Sequence, residues 1–155
     1  MIINYVATDF ASLQSAIAAI DSKTSGDYRL FINADVVEGA DPWAINLHTG
    51  VTLTIDGTGH ALDGANAHRG LFVYSGAVTI QNLTIRNMVA TGGAGGEGAG
   101  GGAGLGGGLF VANDVADGAA SAADVVLDNV VFAHDSAIGG AGGGGTNGGG
   151  GGLGG

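Results

Sequence analysis

Three polar residues, Asp56, Gln81 and Asp128, occupy the same place in three similar stretches of this chain. They are the best candidates for chemistry. Leu53-Thr54-Ile55-Asp56-Gly57 matches Val78-Thr79-Ile80-Gln81-Asn82 at an offset of 25 residues. Val78–Leu83 in turn matches Val125–Val130 at an offset of 47. If the three stretches lie side by side as strands about 4.8 Å apart, the two aspartates are about 10 Å apart, near the upper limit for an inverting glycosidase pair. The pair lacks the rest of a catalytic set. No basic residue is registered beside it, and Trp43, the one tryptophan, stands in an early loop after Pro42. Asp56-Gly57 and Asp63-Gly64 also read simply as turns. The chain is therefore expected not to be an enzyme, with Asp56 and Asp128 as the weak catalytic candidates.

Metal chemistry finds less support. His48, His60, His68 and His134 form no H-E-x-x-H or H-x-H pair, and cysteine is absent. The glycine-rich runs lack the G-G-x-G-x-D pattern of calcium-binding nonapeptides. No metal and no cofactor are expected. Arg69 and Arg86 are read as surface ion-pair formers, with Asp63 the candidate partner of Arg69.

The elements that would position these residues are short. Phe10, Leu13, Ile17 and Ile20 recur at helical spacing and predict one amphipathic helix over 8–21, with Thr8 as N-cap and Asp9 at the positive end. From Tyr28 the period changes to alternation. Residues 28–32, 51–55, 70–74, 78–80, 109–111 and 125–132 read as strands bounded by Gly, Asn or Asp. Asn82 and Asn129 sit where a tight bend is expected. Asparagine tolerates left-handed backbone there and can bond its neighbour in the next repeat.

Glycine is the compositional outlier, with 34 residues, of which eight lie in 1–91 and 26 in 92–155. Two tracts, 92–108 and 139–155, follow the two best-matching strand stretches at the same spacing. They are read either as an ordered layer of close-packed backbones or as flexible segments. Leu105 and Leu153, at nearly the repeat spacing, are candidate anchors. The net charge of −10, with four basic residues, argues against nucleic acid binding. No apolar run is long enough to insert in a membrane.

The runs VTLTIDGTGHALDG, RGLFVYSGAVTIQNLTIRN, GGGLFV and VVLDNVVFAHDSAIGG together resemble right-handed parallel β-helix proteins of the pectin-lyase-like type, above all bacterial surface adhesins and autotransporter passengers. The resemblance covers about residues 5–140. It implies an all-β solenoid: an N-terminal cap over 1–27, β-helix coils over 28–138 with the glycine-rich insertion 92–108, and a terminal tract over 139–155. It also implies a secreted or bacterial cell-surface location. The function expected is that of a non-enzymatic structural or adhesive protein, the capped N-terminal piece of a longer one. The alternatives are a fibre subunit that self-associates through the ends of its coils, and a polysaccharide-binding or polysaccharide-cleaving protein. A cell-surface or polysaccharide ligand is the partner expected.

Overall fold

The computed structural model describes residues 1–112 and 122–145. The chain begins with a strand that the sequence did not suggest, β1 (Ile2–Ala7). Helix α1 (Phe10–Asp21) follows, and Asp9 rather than Thr8 is its N-cap. Asp9 accepts from the Ser12 amide at 2.8 Å, while the Ser12 hydroxyl accepts from the Asp9 amide at 3.1 Å. This reciprocal box satisfies donors that the first helical turn cannot. The Ser12 hydrogen bonds also hold the Asp9 carboxyl below its usual pKa.

Twelve strands come after the helix: β2 (Gly26–Ile32), β3 (Val36–Val37), β4 (Ile45–Asn46), β5 (Val51–Asp56), β6 (Ala61–Asp63), β7 (Leu71–Gln81), β8 (Thr84–Arg86), β9 (Val89–Thr91), β10 (Leu109–Val111), β11 (Ala123–Asp128), β12 (Val131–Ala133) and β13 (Ser136–Ile138). All pairings are parallel. They form a seven-stranded sheet, a four-stranded sheet in the order β12-β8-β6-β3, and the pair β13-β9. In the largest sheet β1, β2, β5, β7 and β11 are successive neighbours.

The all-β right-handed parallel β-helix is thereby corrected. The strands gather into three separate parallel sheets of unequal size, and the helix is not a peripheral lid. Leu13, Ala16, Ile17 and Ile20 are buried in one core with residues of all three sheets. The molecule is a small domain of α/β type. The sequence misled because a short repeat of alternating strands specifies parallel pairing and register. It does not specify how the sheets close around the helix that shares their core.

Register stacks like residues into columns. Tyr28, Leu53, Val78 and Val125 form one, and Leu30, Ile55, Ile80 and Leu127 a second. Val36, Leu62, Ile85 and Phe132 form a third on the four-stranded sheet. Ile55, Ile80, Leu62 and Ile85 are fully buried, whereas Leu127 and Phe132 at the ends of their columns are 45% and 43% exposed. Each buried aliphatic side chain contributes about 1.5–3 kcal/mol. The far ends of the columns forgo part of that.

Glycine residues 92–108 and 139–145 form an ordered layer. Residues 92–96 run out, 99–103 return, and 139–144 lie against both. Gly92 donates to the Ile138 carbonyl (2.8 Å), Gly95 to Ala141 (2.8 Å), Gly102 to Gly93 (2.7 Å), Gly140 to Gly102 (2.8 Å) and Gly143 to Ala99 (2.9 Å). A Cβ on Gly92, Gly95, Gly101, Gly104, Gly107, Gly140 or Gly143 would strike the backbone of a neighbouring segment. At Gly93, Gly96 and Gly144 it would meet nothing within 4 Å. Close approach therefore recurs at every third residue, the period of polyproline II.

Candidate functional site

The turn after β5 holds Asp56. Its strand partner is Gln81, and the partner of Gln81 on the other side is Asp128. The register thus places the two candidate carboxylates in one column with an amide between them. Asp56 is only 9% exposed. Its carboxylate accepts from Gln81 Nε2 (2.6 Å), the Thr58 amide (3.0 Å) and Asn82 Nδ2 (3.2 Å). Burial pushes its pKa up, but the bonds from Thr58, Asn82 and Gln81 outweigh that and hold it below the ordinary value. A carboxylate so fully bonded stays ionised and has no lone pair free for a substrate proton. Asp128 is exposed at the free edge of the sheet.

Asn82 and Asn129 both have left-handed backbone, with φ of 51° and 53°. Asn129 Nδ2 donates to Asn82 Oδ1 at 3.0 Å. Asn82 passes its own amide on to Asp56, so Asp56, Asn82 and Asn129 form a chain of side-chain bonds across three adjacent strands. Gly57 begins the turn at Asp56, where a Cβ would strike the Asn82 carbonyl and Leu83.

A second ladder, which sequence reasoning missed, follows the next bend. Asp63 Oδ2 accepts from Arg86 Nε at 2.8 Å, and its carboxylate accepts from Asn87 Nδ2 at 3.1 Å. Asn87 and His134 occupy its left-handed positions, with φ of 54° and 59°. Burial raises the Asp63 pKa, and the bonds from Arg86, Ala65 and Asn87 more than reverse this. Arg86 also lies 3.8 Å from Asp35. The expected pairing of Asp63 with Arg69 is corrected here, because Asp63 is taken by Arg86 and Arg69 lies beside Asp41.

Arg69 and Asp41 border a cavity of about 360 Å³ that also meets Phe72, Thr91, Leu105 and Phe110. The Arg69 guanidinium lies 5.5 Å from the Phe72 ring centre and donates through Nη2 to the Pro42 carbonyl at 2.7 Å. Phe72 and Phe110 meet edge to face at 5.2 Å. The two rings are strand neighbours, because β10 pairs with the first half of β7. Leu105, a candidate anchor, is 41% exposed and forms part of the cavity wall. Leu153 lies outside the described residues. Trp43 is exposed elsewhere, its amide donating to Gln14 Oε1.

Glu38 is 3% exposed, and neither carboxylate oxygen has a hydrogen-bond partner. Burial raises its pKa to about 8. The negative Asp41 and Asp63 add to the shift, and Arg69 opposes it. The signal was available in the alternation, which turns Val36 inward, Val37 outward and Glu38 inward again.

Among the described residues no cluster of three His, Cys, Asp or Glu is placed to hold a metal ion. His60 and His68 instead face Asp35 and Asp41 at 3.3 and 3.6 Å. No helix of the described residues is long and apolar enough to cross a membrane. Comparison with protein-family models, curated proteins and solved structures finds no match.

Proposed function

We propose that this chain is a non-enzymatic structural or adhesive protein that works outside the cell or on a bacterial surface. The observation that carries the reading is the use made of its carboxylates. Asp56 and Asp63, the two that its turns bring closest to a groove-like arrangement, are consumed by internal donors. Asp128 is separated from Asp56 by the intervening Gln81. Such ladders fix strand against strand and leave no acid–base pair for turnover. The strong negative charge suits an exposed surface, and the pattern of strands and glycine tracts resembles that of bacterial surface adhesins.

Two assays on the full chain test this. One follows reducing-end release from a panel of acidic and neutral polysaccharides. The other follows retention of the fluorescently labelled protein on bacterial, host-cell and matrix surfaces. Retention without turnover is expected. Turnover that disappears in Asp56→Asn or Asp128→Asn overturns the proposal.

A second reading, polysaccharide binding, is favoured by the cavity at Arg69. Its volume suits a ligand about the size of one sugar ring. Phe110 offers an aromatic surface, while Asp41 and Thr91 offer hydrogen-bonding groups. Titration with oligosaccharides tests it: Phe110→Ala should weaken binding at least tenfold, and equal binding by both proteins removes the site.

A further inference from the structure

We propose that the free edge of β11 accepts an extended segment of another protein, one that carries apolar side chains inward and Lys, Arg or amide side chains outward. This rests on the adhesive reading above and names the chemistry of what is held. β11 pairs with β7 alone, so its other edge offers unpaired backbone groups. At the opposite side of the core, α1 covers the apolar residues. At β11 nothing among the described residues covers Leu127, although Ile80 beside it in the same column is fully buried.

The outward rows say what should lie there. Asp27, Thr52, Ala77 and Asp124 share one row, and Asp56, Gln81 and Asp128 share another. Inside the sheets each outward carboxylate meets a donor on the next strand. Asp27 accepts from Thr52 (2.8 Å), Asp56 from Gln81 (2.6 Å) and Asp63 from Arg86 (2.8 Å). Asp124 and Asp128 end their rows exposed, and no donor among the described residues reaches either. The only other ionisable side chains in 122–145 are His134 and Asp135, and all four Lys and Arg lie earlier in the chain. A strand that completes the pattern has donors or cations at two positions four apart, with aliphatic residues between them facing Val125 and Leu127. A second copy of this chain does not supply it. In the register by which β1 meets β2, its Ile2 and Val6 would face the two carboxylates and leave them without donors.

The test uses the full chain and two labelled nine-residue peptides, one centred on Lys-Val-Thr-Ile-Lys and the other on Glu-Val-Thr-Ile-Glu. Fluorescence anisotropy should show saturable binding of the lysine peptide, at least tenfold tighter than the glutamate peptide. The double variant Asp124→Asn with Asp128→Asn, its circular dichroism unchanged, should lose about tenfold. Amide shifts in the wild-type protein should centre on 123–128. Equal binding of the two peptides, absence of binding, or shifts that avoid β11 would each overturn the proposal. Sedimentation showing that the protein alone pairs this edge with a second copy would do the same. Surface retention of the labelled protein reads the adhesive proposal separately, so retention without peptide binding removes the edge site alone.

Discussion

Asn129 reaches back 47 residues to give its side-chain amide to Asn82, 3.0 Å away, while both hold left-handed backbone. One residue type therefore meets two demands at the same bend. Its backbone tolerates the conformation, and its side chain both donates and accepts. Asn82→Gly keeps the conformation but loses the bonds to Asp56 and Asn129, and should cost about 1–2 kcal/mol. Asn82→Ala adds backbone strain of about 1 kcal/mol or more and should cost correspondingly more. Urea unfolding of the three proteins checks the order. Equal stability of the glycine and alanine variants would contradict the account of the bend.

Asp56→Ala should be worse than loss of an ordinary surface carboxylate. It strands Gln81 Nε2, Asn82 Nδ2 and the Thr58 amide around a site that is nearly closed to water. A cost of about 2–4 kcal/mol is expected, against about 0.5 kcal/mol or less for Asp41→Ala at its exposed site. Thermal melts of the two variants at one pH make the comparison.

The pH dependence of stability should be unusual for a protein so acidic. The folded pKa of Glu38 is raised from 4.5 to about 8, so its proton is held more tightly in the folded state. Its contribution to stability is complete below pH 4.5 and is lost as pH rises through 8, with a loss on the order of 4 kcal/mol. Asp56 and Asp63 act in the opposite sense. Their folded pKa values lie below the ordinary one, so their contribution is present above the unfolded pKa and disappears on further acidification. The maximum should lie on the acid side of neutrality, near pH 4–5. Glu38→Gln should flatten the decline above that maximum. An unchanged slope between pH 5 and 8 in the variant would show that another group is responsible.

The glycine layer should exchange its amide hydrogens with a period of three. Gly92, Gly95, Gly102, Gly140 and Gly143 donate to backbone carbonyls and should be protected, whereas Gly93 and Gly96 should exchange quickly. Substitution should follow the same phase. Gly140→Ala forces the Gly93 carbonyl aside and should cost about 1–3 kcal/mol, while Gly93→Ala enters open space and should stabilise by about 0.4–1 kcal/mol. Uniformly rapid exchange would mean that the layer does not persist in solution.

Much of this arrangement can be read from the chain. The offsets of 25 and 47 residues are those of the strand register, so the columns through Ile55, Ile80 and Leu127 follow from the matching stretches alone. The second ladder was also written there and went unread. Thr79-Ile80-Gln81-Asn82 is followed by Thr84-Ile85-Arg86-Asn87, as Ile55-Asp56-Gly57 is by Leu62-Asp63-Gly64. Each layer of strands therefore carries two bends five to seven residues apart. The assembly of the sheets around α1 was not legible, because alternation says which face of a strand is buried and not what buries it. The neighbourhood of Arg69 was hidden for a related reason. Asp41, Phe72 and Phe110 come from separate segments, and only the register of β10 on β7 brings the two rings together.

The close approaches in the glycine layer set a rule for its length. Inward positions fall at 92 and 95 on one segment, at 101, 104 and 107 on the next, and at 140 and 143 on the third. Adding or removing a single residue within a segment would rotate every later position out of phase and point alanine or glutamate side chains at a neighbouring backbone. A change of three residues restores the phase and alters only how far the layer projects. The tract is thus a spacer with a discrete pitch, lengthened in steps of about 9 Å, rather than a tether of continuously variable reach.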